Sequence, residues 1–261
     1  MTFDELDEKM RQYEQSLDQF ITEGNYIIVR LDGKAFTNFT KNIMKFEAPF
    51  DVKFRDLMVD TTKYLVENSG FRIEYGYTES DEISLLFNYN DNTYGRKVRK
   101  IITELAGTCS AYFSREVYKR FNKDLNKVPN FDARVCPLPN ENLVKDYFSW
   151  RQEDSHRNSL NAWCYWILRK DNLNARRASK ELEKQNNSYK NELLFQYGIN
   201  YNDLPNWQKR GVGVAKTTYQ KEGFNPLTKE TVIVTRHKVD CNYDLPVGEE
   251  YHKYIEQFIT H

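Results

Sequence analysis

The sequence predicts an α+β protein built around a β-α-β-β-α-β unit of ferredoxin-like type, and three observations carry that prediction. Four short runs, Tyr26 to Leu31, Phe71 to Tyr77, Ile83 to Phe87 and Phe131 to Cys136, are continuously apolar or alternate, as strands do. Two longer segments, Val52 to Asn68 and Lys97 to Phe121, repeat their apolar residues every three or four positions, as helices do. Their order along the chain is strand, helix, strand, strand, helix, strand.

Taken in order, Phe3 to Phe20 reads as an amphipathic helix capped by Thr2, with Glu5 at the third helical position to close a capping box. A Gly24-Asn25 turn leads into the first strand, which Asp32 closes. Val52 to Asn68 carries Phe54, Leu57, Met58, Thr61 and Leu65 at helical spacing, with Gly70 just past its end. The next two runs form a hairpin with Thr78 to Glu82 at its tip; Ile83, Leu85 and Phe87 share one face, Ser84 and Leu86 the other. Lys97 to Phe121 presents Val98, Ile101, Leu105, Thr108 and Tyr112 down one side. After the fourth strand, Asn140 to Leu168 is helical and rich in aromatics (Tyr147, Phe148, Trp150, Trp163, Tyr165, Trp166), a pattern that more often marks core than a ligand platform. Arg169 to Gln196 is a polar, basic helical stretch, Gly211 to Tyr219 with Thr231 to His237 a final hairpin, and Glu249 to Ile259 a short closing helix. Residues 1–261 are expected to form a single catalytic unit, with a core over 22–138 and a helical extension plus C-terminal hairpin over 139–261.

Composition bounds what such a unit can serve. Lys+Arg and Asp+Glu both number 38, so a polyanion has no overall positive charge to meet and any nucleic-acid binding rests on local patches. The four cysteines, Cys109, Cys136, Cys164 and Cys241, lie far apart with no C-x-x-C pair, which argues against a zinc site or a disulfide framework and for a reducing compartment. No apolar run approaches the roughly 18 residues of a membrane span, so a soluble, unprocessed, cytoplasmic protein is expected.

Chemistry concentrates in three sets of residues. Asp32 closes one strand and Asp81 with Glu82 opens another, the layout of a two-metal phosphoryl-transfer site, because a divalent cation wants hard oxygen ligands held at strand ends. Gly33 would let its carbonyl come close to a ligand. The plainer reading is an ordinary turn and a hairpin tip with solvated charges. Asp154, His156, Asn158 and Asn161 form the second set, on the helix containing Ser149-Trp150-Arg151-Gln152; they can hold a nucleotide base or triphosphate, or be a solvated face. Basic groups make the third set, including Arg176 and Arg177 and, beside Gly211, Lys209-Arg210, whose position at a strand start would present cations to a triphosphate or RNA.

These sets occur with the neighbours that mark one family. Arg30-Leu31-Asp32-Gly33, Pro49-Phe50-Asp51, Ser80-Asp81-Glu82-Ile83-Ser84, Phe131-Asp132-Ala133-Arg134, Asp146 to Asp154 and Gln208-Lys209-Arg210-Gly211 together resemble the tRNA-His guanylyltransferase superfamily, particularly its branch of guanylyltransferase-like proteins. The resemblance implies a polymerase palm-like domain that adds nucleotides to tRNA 5′ ends in the 3′-to-5′ direction, after ATP activates the 5′ end, and a homotetramer. It implies two Mg²⁺ ions held by Asp32, the Gly33 carbonyl and Asp81, with Glu82 a further catalytic carboxylate, and ATP and GTP as substrates. Lys34, Lys45, Ser80, Asn158, Asn161, Lys209 and Arg210 are the expected nucleotide contacts, and Arg151, His156, Arg176 and Arg177 the expected tRNA contacts. Two departures stand out. The tRNA-His enzymes carry His-Ile-Asn-Asn where this chain has His156-Arg157-Asn158-Ser159, which favours templated repair of 5′-truncated tRNA over addition of a single G to tRNA-His. The family's lysine before Pro49 is Ala48 here, with Lys45 or Lys41 as the substitute. The rival from another class is a palm-like RNA-binding protein without catalysis, against which the intact Asp32 and Asp81 speak.

Overall fold

Six strands form one antiparallel sheet in the order β4-β1-β3-β2-β5-β6 in the computed structural model, which describes residues 1–225 and 230–260. They are β1 (Tyr26–Gly33), β2 (Ile73–Glu79), β3 (Glu82–Phe87), β4 (Phe131–Leu138), β5 (Val212–Asn225) and β6 (Glu230–Asn242). The helices are α1 (Phe3–Gln15), α2 (Phe36–Asn38), α3 (Val52–Asn68), α4 (Val98–Phe121), α5 (Glu141–Lys170), α6 (Ala175–Leu182), α7 (Asn187–Gln196), α8 (Asn206–Arg210) and α9 (Glu249–Glu256). The β4-β1-β3-β2 portion with α3 and α4 is the expected β-α-β-β-α-β unit.

Helices cover both faces of this sheet, which explains the continuous apolar run of β1. Ile27, Val29 and Leu31 face α3 and α4 in a core with Leu57, Leu65, Leu105 and Phe113, while Tyr26 and Ile28 face the other way, toward Val144 and Phe148 of α5 and Tyr251 of α9. The split within β3 is as expected: Ile83, Leu85 and Phe87 join the first core, Leu86 the second, and Ser84 meets the Tyr147 hydroxyl at 3.3 Å. A third cluster, around Leu160, Cys164, Leu168 and Leu194, ties the second half of α5 to α6 and α7. The C-terminal hairpin does not stand apart from the core, since β5 pairs with β2 and extends the central sheet.

Several boundaries differ from the sequence reading. The Thr2–Glu5 capping box forms, but α1 stops at Gln15, none of its residues is buried, and Phe20 instead bridges to Lys97. The buried stripe of α4 follows Ile101, Leu105, Cys109, Phe113 and Val117; Thr108 and Tyr112 sit one step round, where Tyr112 stacks on Tyr64 at 4.0 Å. The basic stretch after Leu168 breaks into α6 and α7 because Asn174 and Asn186 cap new helices and Asn172 and Lys184 adopt positive φ. The final hairpin is longer than read, and α9 ends at Glu256. All four cysteines are free. Among the described residues no helix is long and apolar enough to cross a membrane.

Candidate active site

Strand pairing assembles the carboxylates. In the ladder Asp32 lies opposite Glu82 of β3 on one side and Asp132 of β4 on the other, and the Gly33 amide donates to the Asp81 carbonyl at 3.0 Å. The hairpin tip is tighter than predicted: β2 runs to Glu79 and β3 starts at Glu82, so only Ser80 and Asp81 turn the chain. Ser80 takes a positive φ of 48°, a conformation that costs a non-glycine residue on the order of 1 kcal/mol, and its hydroxyl donates to Asp81 Oδ1 at 3.1 Å. Burial pushes the Asp81 carboxyl above its usual range and the nearby Asp32 charge adds to the push, while the backbone and the Ser80 hydroxyl oppose it.

Neither Asp32 nor Asp81 has an ion-pair partner among the described residues. Two carboxylates at one hairpin end, one of them desolvated, suit a hard divalent cation with the Gly33 carbonyl nearby. Among the described residues no group of three or more His, Cys, Asp or Glu side chains is placed to cage a metal. A partial protein shell of this kind fits Mg²⁺, which keeps waters and takes substrate phosphates as ligands. Gly33 has a second reason to be glycine: a Cβ there would lie 2.5–2.7 Å from the ring of Phe36, itself packed among Phe39, Phe113 and Phe131. A core phenylalanine thus packs against the Cα of Gly33, a constraint that adds to the expected approach of its carbonyl to a ligand.

Behind the tip the charges are locked together. Arg151 of α5 donates from Nε and Nη2 to the two oxygens of Glu82 at 2.7 and 3.1 Å, and to Asp154 at 2.8 Å, and it lies 3.7 Å from Glu79. Arg30 approaches Glu82 at 3.7 Å. Burial pushes the Glu79 carboxyl up to about 8, with the Ser155 hydroxyl and Arg151 working against the rise and Glu82 and Asp154 for it. Arg151 is thus buried, with Nε and Nη2 committed to Glu82 and Asp154, which corrects its expected role as a tRNA contact. Glu79 was missed; the signal was available, since strand alternation puts it on the same face as the buried Tyr75 and Tyr77.

Beside the tip opens a cleft of about 210 Å³, lined by Lys41, Phe50, Asp51, Glu79, Ser80, Ser155, Asn158, Trp166 and Trp207 among others. Phe50 meets Trp207 edge-on at 5.9 Å, the Lys41 ammonium lies 5.0 Å from the Trp166 ring, and Asp51 caps α3 through the Lys53 and Phe54 amides. An aromatic wall, an ammonium, a serine hydroxyl and an asparagine amide beside paired carboxylates can hold a base and a phosphate chain.

The fold has counterparts among known proteins. The tRNAHis guanylyltransferase family model matches residues 7–139, and the Thg1 C terminal domain model matches residues 142–244. The chain belongs to the tRNA(His) guanylyltransferase family. It is a nucleotidyltransferase with a palm-like fold. The Schizosaccharomyces pombe tRNA(His) guanylyltransferase is 34% identical over 209 residues, covering 78% of this chain and 77% of that one. The Debaryomyces hansenii tRNA(His) guanylyltransferase is 31% identical over 251 residues, 94% and 91% of the two chains. Among solved structures, the Saccharomyces cerevisiae enzyme superposes with a TM-score of 0.71 at 32% identity, covering 79% of this chain and 91% of that one. A bacterial tRNA(His) guanylyltransferase-like protein in complex with ATP superposes with a TM-score of 0.74 at 28% identity, covering 97% and 99%.

In this member of the guanylyltransferase family the remaining candidates scatter. Asp32, Gly33, Ser80, Asp81 and Glu82 come together, and Asn158 reaches the cleft, where it also donates to Asp154 at 3.2 Å. Of the two lysines near Pro49, Lys41 lines the cleft; Lys45 is exposed at the end of a π-helical turn over Phe39–Met44 and does not. Asn161 is exposed and outside the cleft lining. Lys209 is buried with its ammonium on the Asn202 carbonyl at 2.7 Å, and burial first, then Arg210, lowers its pKa; it is an internal tie and not a free cation. Arg210 pairs with Glu153 at 3.0 Å while its carbonyl accepts from the Tyr77 hydroxyl at 2.9 Å. Lys34 lines a separate small cleft of about 80 Å³ with Phe36, Phe39 and Lys127. His156 packs against Tyr201 at 5.4 Å, its pKa lowered by burial and by Arg210, on the wall of a third cleft with Asn191 and Asn200. Arg176 and Arg177 are exposed on α6.

Proposed function

We propose that the chain is a Mg²⁺-dependent nucleotidyltransferase that extends tRNA 5′ ends in the 3′-to-5′ direction, repairing 5′-truncated tRNAs against the opposite acceptor strand after ATP activates the 5′ end. The observation that carries the reading is the end of β1, with Asp32, bonded through the Gly33 amide to Asp81 at the β2-β3 tip, both aspartates without cationic partners among the described residues, beside an aromatic cleft. Asp32, Asp81 and the Gly33 carbonyl would hold the metal. Mg²⁺ bound there would supply activation of the attacking 3′-hydroxyl and neutralisation of the leaving phosphate. Phe50, Trp166 and Trp207 would sandwich the base, Asn158 would read its edge, and Lys41 and Ser80 would take phosphate oxygens. Glu82, held by Arg151 and Arg30, would shape the field at the tip without ligating. ATP and GTP as substrates are supported by solved bacterial guanylyltransferase-like proteins in complex with each. Exposed Arg176 and Arg177 would meet tRNA phosphates. Residues 1–261 would work as one catalytic unit, and the exposed apolar side chains of α1 support assembly into a homotetramer.

Templated repair is favoured by His156-Arg157-Asn158-Ser159, which departs from the His-Ile-Asn-Asn of the single-G enzymes. The second reading, addition of one G to tRNA-His, is favoured by relatives of that name at 31–34% identity over most of this chain. The deciding experiment supplies, in separate reactions, full-length tRNA-His and 5′-monophosphorylated tRNA lacking its first nucleotide, with Mg²⁺, ATP and each nucleotide in turn, while the base opposite the missing nucleotide is varied. Addition that tracks that base establishes repair. Addition of G alone, and only to full-length tRNA-His, establishes the second reading, and no addition anywhere leaves a binding protein.

A further inference from the structure

Trp150 is the feature of the active-site rim that neither the carboxylates nor the cleft uses. It lies on α5 beside the engaged Arg151, yet it is 55% exposed, a large apolar surface left in water. Its ring is nonetheless held. The Arg151 guanidinium sits 4.4 Å from the ring centroid, that of Arg30 sits 5.7 Å away, and Tyr147 packs edge-on at 5.8 Å. Because Arg151 is itself clamped by Glu82 and Asp154, the indole is preoriented and loses little freedom when a second flat group stacks on it.

Its place in the fold says what that group is. Along α5, Trp150 lies beside Arg30 of β1, Arg151 on Glu82 of β3, and Ser155 beside Glu79 of β2. Asn158, about two helical turns further along, reaches the nucleotide cleft. Along this helix the cleft therefore lies toward β2 and Trp150 toward β1, whose Arg30 pairs across the ladder with Arg134 of β4. On that side Arg134 of β4, the ladder partner of Arg30, is exposed; among the described residues it pairs with exposed Asp132 at 3.4 Å, a contact of the kind that contributes little in water. Arg30 has a buried Nε without an acceptor among the described residues. An immobilised indole face flanked by arginines is the chemistry that takes a nucleobase and the phosphate attached to it.

We propose that Trp150 and Arg134 form a platform for the RNA end, the indole stacking the outermost base of the acceptor stem and Arg134 holding a neighbouring phosphate. The platform rests on the reading of the protein as a tRNA 5′-end nucleotidyltransferase and adds a positioning surface to it: the RNA enters from the β4 edge while the nucleoside triphosphate occupies the cleft.

The test compares the full-length protein with Trp150→Ala, Trp150→Phe and Arg134→Ala. Initial rates are measured with 5′-truncated tRNA and nucleotide varied separately, intrinsic fluorescence is followed on titration with a short acceptor-stem RNA hairpin, and the mass in solution is recorded for each protein. Trp150→Ala should raise the KM for tRNA about ten- to a hundred-fold with the nucleotide KM unchanged. Trp150→Phe should restore most of the loss. Arg134→Ala should weaken RNA binding and lower its salt slope by about one. The hairpin should quench wild-type fluorescence and leave a smaller quench in Trp150→Phe. An unchanged tRNA KM in an active Trp150→Ala protein overturns the platform, as does a changed solution mass with an unchanged tRNA KM, which would make the patch an interface between copies. If the wild-type protein transfers nothing to tRNA, the functional reading fails, and the platform then stands or falls on the fluorescence titration alone.

Discussion

Asp81 and Glu82 are adjacent in the chain, yet the hairpin gives them opposite surroundings. Glu82 points into a network in which two arginines, Arg30 and Arg151, face Glu82 and Asp154, with the carboxyl group of Glu79 beside them. Asp81 sits at the turn with Asp32, and among the described residues neither has a cation of its own. The difference teaches which acids hold the structure and which wait for something from outside. Carboxylates that already face arginines gain little from a metal; a carboxylate pair without a cation of its own gains most.

Three measurements break or sharpen that contrast. The largest effect is expected for Asp32→Ala, which should reduce nucleotide transfer on the order of 10³-fold, as loss of a preorganised electrostatic group at a reacting phosphate does, while tRNA binding and thermal stability hold. Unchanged turnover would sink the division between the two carboxylate groups. Next comes Arg151→Met. Stripping a buried partner from Glu82 should destabilise the fold by about 3–5 kcal/mol, read by chemical denaturation, with Arg151→Lys intermediate because an ammonium cannot make the two-pronged contact. A stability loss as large in Asp32→Ala as in Arg151→Met would erase the contrast. The smallest is a gain, from Glu79→Gln. The folded carboxyl titrates near 8 against an ordinary 4.5, so the folded wild type binds a proton that the unfolded chain has released, and its stability falls as pH rises through that window. Glutamine carries no such proton. Melting curves in chelator should therefore show the variant pulling ahead between those two values and keeping a constant lead above the upper one; parallel curves throughout would mean that Glu79 is ionised in the fold.

Much of the frame was legible because local chemistry announces it. The Thr2 capping box, the exact span of α3 and the apolar run of β1 follow from short-range patterns, and so do the two acidic corners, since a strand end with Asp-Gly and a Ser-Asp-Glu hairpin tip are written in consecutive residues. The seam of α4 slipped by one position after Leu105 because a long helix of low amphipathicity offers several plausible stripes, and the sheet it packs on chooses among them. The basic residues misled most. Arg151 and Lys209 look like free cations in sequence, but their partners are distant: Glu82 lies 69 residues from Arg151, and Lys209 ends on a backbone carbonyl that carries no sequence signal at all.

Sequence by itself determined the β-α-β-β-α-β order, the family and the strand-end positions of Asp32 and Asp81, because periodicity, capping and strand-end acids are properties of neighbours along the chain. Tertiary structure alone decided that β5 would join the central sheet, that Lys41 and not Lys45 would reach the cleft, that Glu79 would be buried beside Glu82, and that Arg151 would be consumed in holding both. A side chain's charge is fixed by its identity, but whether that charge is spent inside the protein or offered to a ligand depends on what the fold brings within a few ångströms of it.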